Sequence, residues 1–147
     1  MKIDAETLQA YRETDYRVLE GLPTTLHVDA VCPELLLLHA RYQAHCSAFI
    51  TACNPLGKRA AAPLNAQRHA ALLAELSRRK LVAIRGIGQH PTNEWPGEPS
   101  FLVLGITRRA ARALGRQFEQ NAIIWSGLDA VPKLVLLRQG ADYLRSL

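Results

Sequence analysis

The sequence predicts an α/β or α+β fold, one domain in which about three main helices cover a mixed β-sheet. Three observations carry that expectation. Short apolar runs rich in branched and aromatic side chains recur, as in Ala48-Phe49-Ile50-Thr51 and Phe101-Leu102-Val103-Leu104. Between them lie segments whose apolar residues repeat at helical spacing, giving the order ββαβαββαββ with a short helix at each terminus. The chain has 147 residues, 48% of them hydrophobic, which suits one sizeable core. The expected organisation is a single domain over 1–147, with its core at 16–137, an N-terminal helix over 1–14 and a tail or short helix over 138–147.

Each element has a local reason. Asp4 can cap a helix running to Glu13, with Leu8 and Tyr11 on one face. Residues 16–19 and 25–28 have strand character, and turn formers from Gly21 to Thr24 join them as a hairpin. Pro33 suits a first helical turn, and the run over 34–45 turns Leu35, Leu38 and Tyr42 inward. Residues 48–53 form an apolar strand that Asn54-Pro55 ends, because proline cannot donate to a ladder. Asn65 opens a helix to Lys80 that buries Leu72, Leu73 and Leu76 and sets Arg78, Arg79 and Lys80 at its negative end. Residues 81–87 and 100–104 are strands, expected as neighbours across a polar loop. Thr107 caps a further helix to Phe118, and two strands over 122–125 and 134–137 complete the set.

Composition narrows the function classes. Residues 1–35 carry 7 acids against 3 bases, and residues 36–147 carry 6 acids against 15 bases, so the body of the domain is basic despite a net charge of only +5. Such a field favours phosphates, nucleic acid or acidic partners without specifying a fold. The apolar runs fall far short of a membrane span, and the polar, acidic start 1–6 does not resemble a secretory signal, so a cytoplasmic location and no membrane partner are expected. Cys32, Cys46 and Cys53 form an odd set without paired spacing, which fits free thiols in a reducing compartment. No metal or cofactor is expected. The Cys and His residues lack zinc spacing, and Gly86-Ile87-Gly88 lacks both the third glycine and the following helix of a dinucleotide site.

The polar stretch between Gly86 and Gly105 is the place to look for a site, because compact domains rarely keep a long structureless loop without using it. Glu98, fixed in direction by Pro99 and close to Trp95, is the candidate general acid or base. Trp95 can stack on a planar ligand. Asn54 at a strand end can aim its amide into the crevice where open sheets bind ligands, with Asn65 at the following helix start beside it. Arg108 and Arg109 occupy the first turn of a helix whose dipole favours anions there, so a bound anion would reconcile the charges. Lys58 and Arg59 would extend the same basic rim, and Gln120 and Asn121 offer amides just before a strand.

Taken together, the segment Ala48-Phe49-Ile50-Thr51-Ala52-Cys53-Asn54-Pro55, then Asn65, Gly86-Ile87-Gly88, Trp95-Pro96-Gly97-Glu98, Ser100-Phe101-Leu102-Val103 and Gln120-Asn121-Ala122, resembles the bacterial domain of unknown function family three-two-nine-three across residues 16–137. The resemblance implies a bacterial source and a single small domain, and it implies no reaction. Three function classes follow. The leading one is a pocket for a small anionic or nucleotide-like ligand, with or without turnover. The second is a non-catalytic protein-interaction or regulatory module, which a homo-oligomer would suit. Nucleic-acid binding ranks last, since only 6% of residues are aromatic and no docking motif is present.

Overall fold

Asp4 opens the first helix in the way its side chain suggests: Oδ1 accepts from the backbone N–H of Thr7 at 2.7 Å, and α1 (Ala5–Glu13) follows. The computed structural model describes residues 2–139. It continues with β1 (Asp15–Val18), β2 (Thr24–Leu26), α2 (Pro33–Arg41), β3 (Ser47–Thr51), a tight turn at Pro55–Gly57, α3 (Ala62–Arg78), β4 (Val82–Gln89), β5 (Glu98–Leu104), α4 (Arg108–Gln117), β6 (Ala122–Ser126) and β7 (Lys133–Leu136). This is the order ββαβαββαββ behind an N-terminal helix. The tail or short helix expected over 138–147 falls outside the described residues except for 138 and 139.

The seven strands form one sheet in the order β2-β1-β4-β5-β3-β6-β7. Every pairing is antiparallel, where a mixed sheet was expected. The reason lies in the crossovers. Helix α3 joins β3 to β4, which run in the same direction, but β5 is inserted between them and runs the other way. Likewise α4 joins β5 to β6 with β3 between them. A helix returns the chain to its starting end, and a skipped position filled by another strand converts parallel crossovers into an antiparallel ladder.

Successive residues on β3 and β5 point to opposite faces, and both faces are covered. Ala48, Ile50, Phe101 and Val103 pack with Leu72 and Leu76 of α3 and Ala111 and Leu114 of α4. Phe49, Leu102 and Leu104 pack with Leu35 and Leu38 of α2 and with Tyr16 and Val18 of β1. Double coverage is why these two central strands read as unbroken apolar runs. Two inward assignments are revised by this packing. Leu73 is 44% and Tyr42 38% exposed, because α3 and α2 each present a narrower stripe to the sheet than their apolar content suggests. Helix α2 also stops at Arg41, with Gln43 at φ 53°, well short of 45.

The polar loop is shorter than expected. Gly86 and Gly88 lie inside β4 and Glu98 inside β5, leaving 90–97 as a hairpin connection. Gly86 is needed there for space: a Cβ would stand 2.7 Å from the Phe49 ring and 2.8 Å from the Arg17 carbonyl oxygen. Antiparallel pairing gathers the end of β3, the end of β4 and the starts of β1, β5 and β6 at one end of the sheet. The candidate site is at that end.

Candidate functional site

A residue three positions past the end of β3 sets the geometry. Asn54 sits in the left-handed region (φ 52°, ψ 65°), a conformation asparagine tolerates better than most residues, and the chain turns sharply into Pro55–Gly57. Its backbone N–H donates to Asn65 Oδ1 at 2.9 Å, and its Oδ1 accepts from Asn65 Nδ2 and from the Ala60 backbone N–H, both at 2.9 Å. With the carbonyl side of the amide held, Nδ2 can point only one way. It donates to Glu98 Oε2 at 2.5 Å. Trp95 Nε1 reaches the same oxygen at 3.4 Å.

Glu98 is itself anchored by its strand. Its carbonyl accepts from Ser100 Oγ at 2.8 Å, and the Pro99 carbonyl accepts from Thr51 Oγ1 at 2.8 Å, which ties the start of β5 to the end of β3. Burial pushes the Glu98 carboxyl above the usual glutamate range, against the hydrogen bonds from Asn54 and Trp95 that favour the charged form. Both of those bonds fall on Oε2, and Oε1 accepts none among the described residues.

Glu98 opens on a cavity of about 310 Å³. One wall is the face of α1 carrying Thr7 and Tyr11, and another is the hairpin connection with His90 and Trp95. The two walls are joined at the mouth. His90 Nδ1 accepts from the Thr92 and Asn93 backbone N–H groups at 3.1 and 3.0 Å, so its proton is on Nε2, which donates to Glu13 Oε1 at 3.0 Å. Inside, Tyr16 donates to the Tyr11 carbonyl at 2.6 Å, and the Tyr11 hydroxyl accepts from Asn121 Nδ2 at 2.9 Å. Burial raises the Tyr11 phenol, the Asn121 hydrogen bond lowers it, and the Glu98 charge raises it further. Gly57 gives this pair room, since a Cβ there would lie 2.5 Å from Asn121 Nδ2. Asn121 Oδ1 is buried and has no partner among the described residues. A polar atom in that state is a place where a ligand or water can be bound.

Five of the eight candidate residues thus line one cavity: Asn54, Trp95, Glu98, Gln120 and Asn121. Asn65 does not. It lies within the first turn of α3, which starts at Ala62 rather than at Asn65, and it acts by orienting Asn54. Gln120 spends its Nε2 on the Cys53 and Phe118 carbonyls, both at 3.1 Å, so that end of its amide braces the turn before β6. Arg108 and Arg109 stand apart from the cavity. Thr107 caps α4 as expected, with Oγ1 accepting from Ala110 N–H at 3.1 Å, but the cap follows the far end of β5, roughly 20 Å from Glu98 along the strand. Lys58 and Arg59 are exposed and do not line the cavity either.

The sequence pointed to the β4–β5 connection and missed the α1 wall. Tyr11 was legible as an apolar-face residue, and its hydroxyl was the signal that the face is not simply core. Among the described residues the lining contains the carboxylates of Asp4, Glu6 and Glu98 and no lysine or arginine. Arg138, whose charge is felt by the Tyr11 phenol, is not part of it. Cys53 is buried and its thiol is pushed up by burial, which makes it a poor nucleophile. Cys32, Cys46 and Cys53 are free thiols, and among the described residues no three His, Cys, Asp or Glu side chains are grouped to hold a metal ion. No helix among them is long and apolar enough to cross a membrane.

An α+β domain with a cavity at one end of an antiparallel sheet is the class these features define. Residues 50–123 match the family described as "Protein of unknown function (DUF3293)", and the chain belongs to that family. The match runs from the end of β3 to the start of β6 and so contains Asn54, Asn65, Trp95, Glu98, Gln120 and Asn121, while Tyr11 and the rest of the α1 wall lie outside it. No curated protein and no solved structure matches the chain.

Proposed function

We propose that the cavity binds a small planar nitrogenous ligand, a nucleobase-like or guanidine-like compound, through N–H groups donated to Glu98. The observation that carries this is the state of the carboxylate: Oε2 is occupied by Asn54 and Trp95, and Oε1 accepts no hydrogen bond among the described residues. An acceptor held in a fixed direction and left half-used is matched by a ligand that donates. Trp95, Tyr11 and Tyr16 supply aromatic surface for a flat molecule, and the volume is at the small end of ligand sites.

The same wall argues for the base-like rather than the anionic part of the expected ligand. Three carboxylates with no lysine or arginine among the described lining residues disfavour phosphate, and a neutral donor meets neither their repulsion nor that of Arg138, whose charge reaches Tyr11. Glu98 is also equipped for proton transfer, because burial raises its proton affinity towards the range in which a carboxyl serves as acid or base. Turnover would use Oε1, the oxygen that no donor among the described residues reaches.

A thermal-shift panel tests the proposal. Nucleobases, nucleosides and small guanidines should raise Tm in the wild-type chain and fail to do so in Glu98→Gln, which keeps an oxygen for Asn54 but removes the charge and one acceptor. Phosphorylated sugars should give no shift. A response to the phosphorylated compounds alone, or one unchanged in Glu98→Gln, would overturn it.

A further inference from the structure

Helix α4 concentrates positive charge along one side. Its ten residues include Arg108, Arg109, Arg112 and Arg116 and no acid. At 3.6 residues per turn the four side chains fall within an arc of about 100°, and Arg108, Arg112 and Arg116 form a ladder rising about 6 Å per step. Arg108, Arg109 and Arg116 are exposed and Arg112 is half-buried. None of the four forms an ion pair among the described residues, whereas Arg68, Arg78, Arg79 and Arg85 each have a glutamate partner.

The start of the helix carries an electrostatic cost. Arg108 and Arg109 occupy the first turn, where the dipole disfavours cations, and the i, i+4 spacing of the ladder places like charges side by side. Folding does not require it, since α4 is held to the sheet by Ala111 and Leu114 on its other side. Repulsion retained without an internal counter-charge marks a surface shaped for an external one.

We infer that the arginine ladder of α4 is a docking surface for the phosphate backbone of a nucleic-acid duplex, bound without base readout. Charge complementarity selects the occupant. Cations repeating at regular intervals along a straight ridge match an anion that repeats regularly and is stiff, and a duplex is both. The helix has no aromatic side chain on which unpaired bases could stack, which disfavours single strands. The excess of bases over acids in residues 36–147 adds a field of the same sign. This surface is separate from the cavity and does not depend on what the cavity binds.

Fluorescence anisotropy of the full chain with a labelled DNA duplex of mixed sequence tests the inference. Four phosphate contacts should make affinity fall roughly 150-fold between about 50 and 200 mM salt, and the triple variant Arg108→Gln/Arg112→Gln/Arg116→Gln should cut that dependence to about 3-fold. The variant should stay folded with a Tm close to that of wild type, because Ala111 and Leu114 still hold α4 to the sheet. No binding at low salt, or an undiminished salt dependence in the triple variant, overturns the inference. So does displacement of the duplex by polyglutamate at equal charge concentration, which would point instead to an acidic protein partner.

Discussion

Asn54 and Asn65 hold each other by two hydrogen bonds of 2.9 Å, one from the Asn54 backbone N–H to Asn65 Oδ1 and one from Asn65 Nδ2 to Asn54 Oδ1. The pair fixes which way the Asn54 amide points and hence which oxygen of Glu98 is occupied. Asn65→Ala should cost about 1–3 kcal/mol, the range for leaving half-buried polar groups unmatched, measured by urea unfolding with an unchanged m-value. It should also weaken the ligand response although Asn65 does not touch the cavity. Asn54→Gly should be less destabilising than Asn54→Ala, since both lose the hydrogen bonds but only alanine is strained at φ 52°.

Glu98 gives a pH signature. Its carboxyl is raised above the ordinary value near 4.5 because burial disfavours its charge. The folded chain therefore binds that proton more tightly than the unfolded chain, so the contribution to stability is complete below pH 4.5 and is lost as pH rises through the folded value. Glu98→Gln stays neutral throughout. Urea unfolding at a series of pH values should show the variant gaining on wild type as pH rises and then holding a constant lead. A difference that does not vary with pH would mean the carboxylate is adequately solvated. A variant that is more stable and yet fails to respond to ligand is the expected pattern where a site keeps a costly charge for use.

How much of this could be read from the chain follows from the range of the interactions involved. Asp4 and Thr107 were legible as caps because a cap is a contact across three residues, and both bonds are present. The element order was legible because each apolar run carries its own period. The sheet order was not: nothing local to β3 states that β5 and β6, rather than β4, will flank it. Leu73 looks like Leu72 and Leu76 until the crossing of α3 over the sheet decides which stripe is covered. Within the site, Asn54, Trp95 and Glu98 stood out as polar or bulky residues at strand ends. Tyr11 did not, because its partner Asn121 is 110 positions away.

Three glycines separate backbone strain from crowding. Gly105 has φ +79° and nothing within 4 Å of a Cβ, so Gly105→Ala should cost only the conformational penalty of about 1 kcal/mol. Gly86→Ala puts a methyl against the Phe49 ring and a backbone oxygen of β1, and should cost about 2–3 kcal/mol as overpacking between strands. Gly57→Ala combines φ +73° with a contact of 2.5 Å to Asn121 Nδ2. It should therefore displace the Tyr11–Asn121 pair and abolish the ligand response, while losing less stability than Gly86→Ala. Equal ligand responses in the Gly57 and Gly105 variants, read by thermal shift, would show that the pair takes no part in binding.

The start of α4 carries two effects of opposite sign. Thr107→Ala removes the acceptor for the Ala110 N–H and should lower stability by about 1 kcal/mol. Arg108→Glu replaces a cation with an anion in the first turn and should raise stability by about 0.3–1 kcal/mol at low ionic strength, fading with added salt as the dipole is screened. The two substitutions act on the same helix end, so thermal unfolding of each reports whether that end is limited by its cap or by its charge. Duplex binding separates them further: Thr107→Ala leaves all four arginines in place and should bind as wild type, while Arg108→Glu should weaken binding despite the more stable fold. A gain in stability without loss of affinity would remove Arg108 from the docking surface and leave its first-turn position without a functional reason.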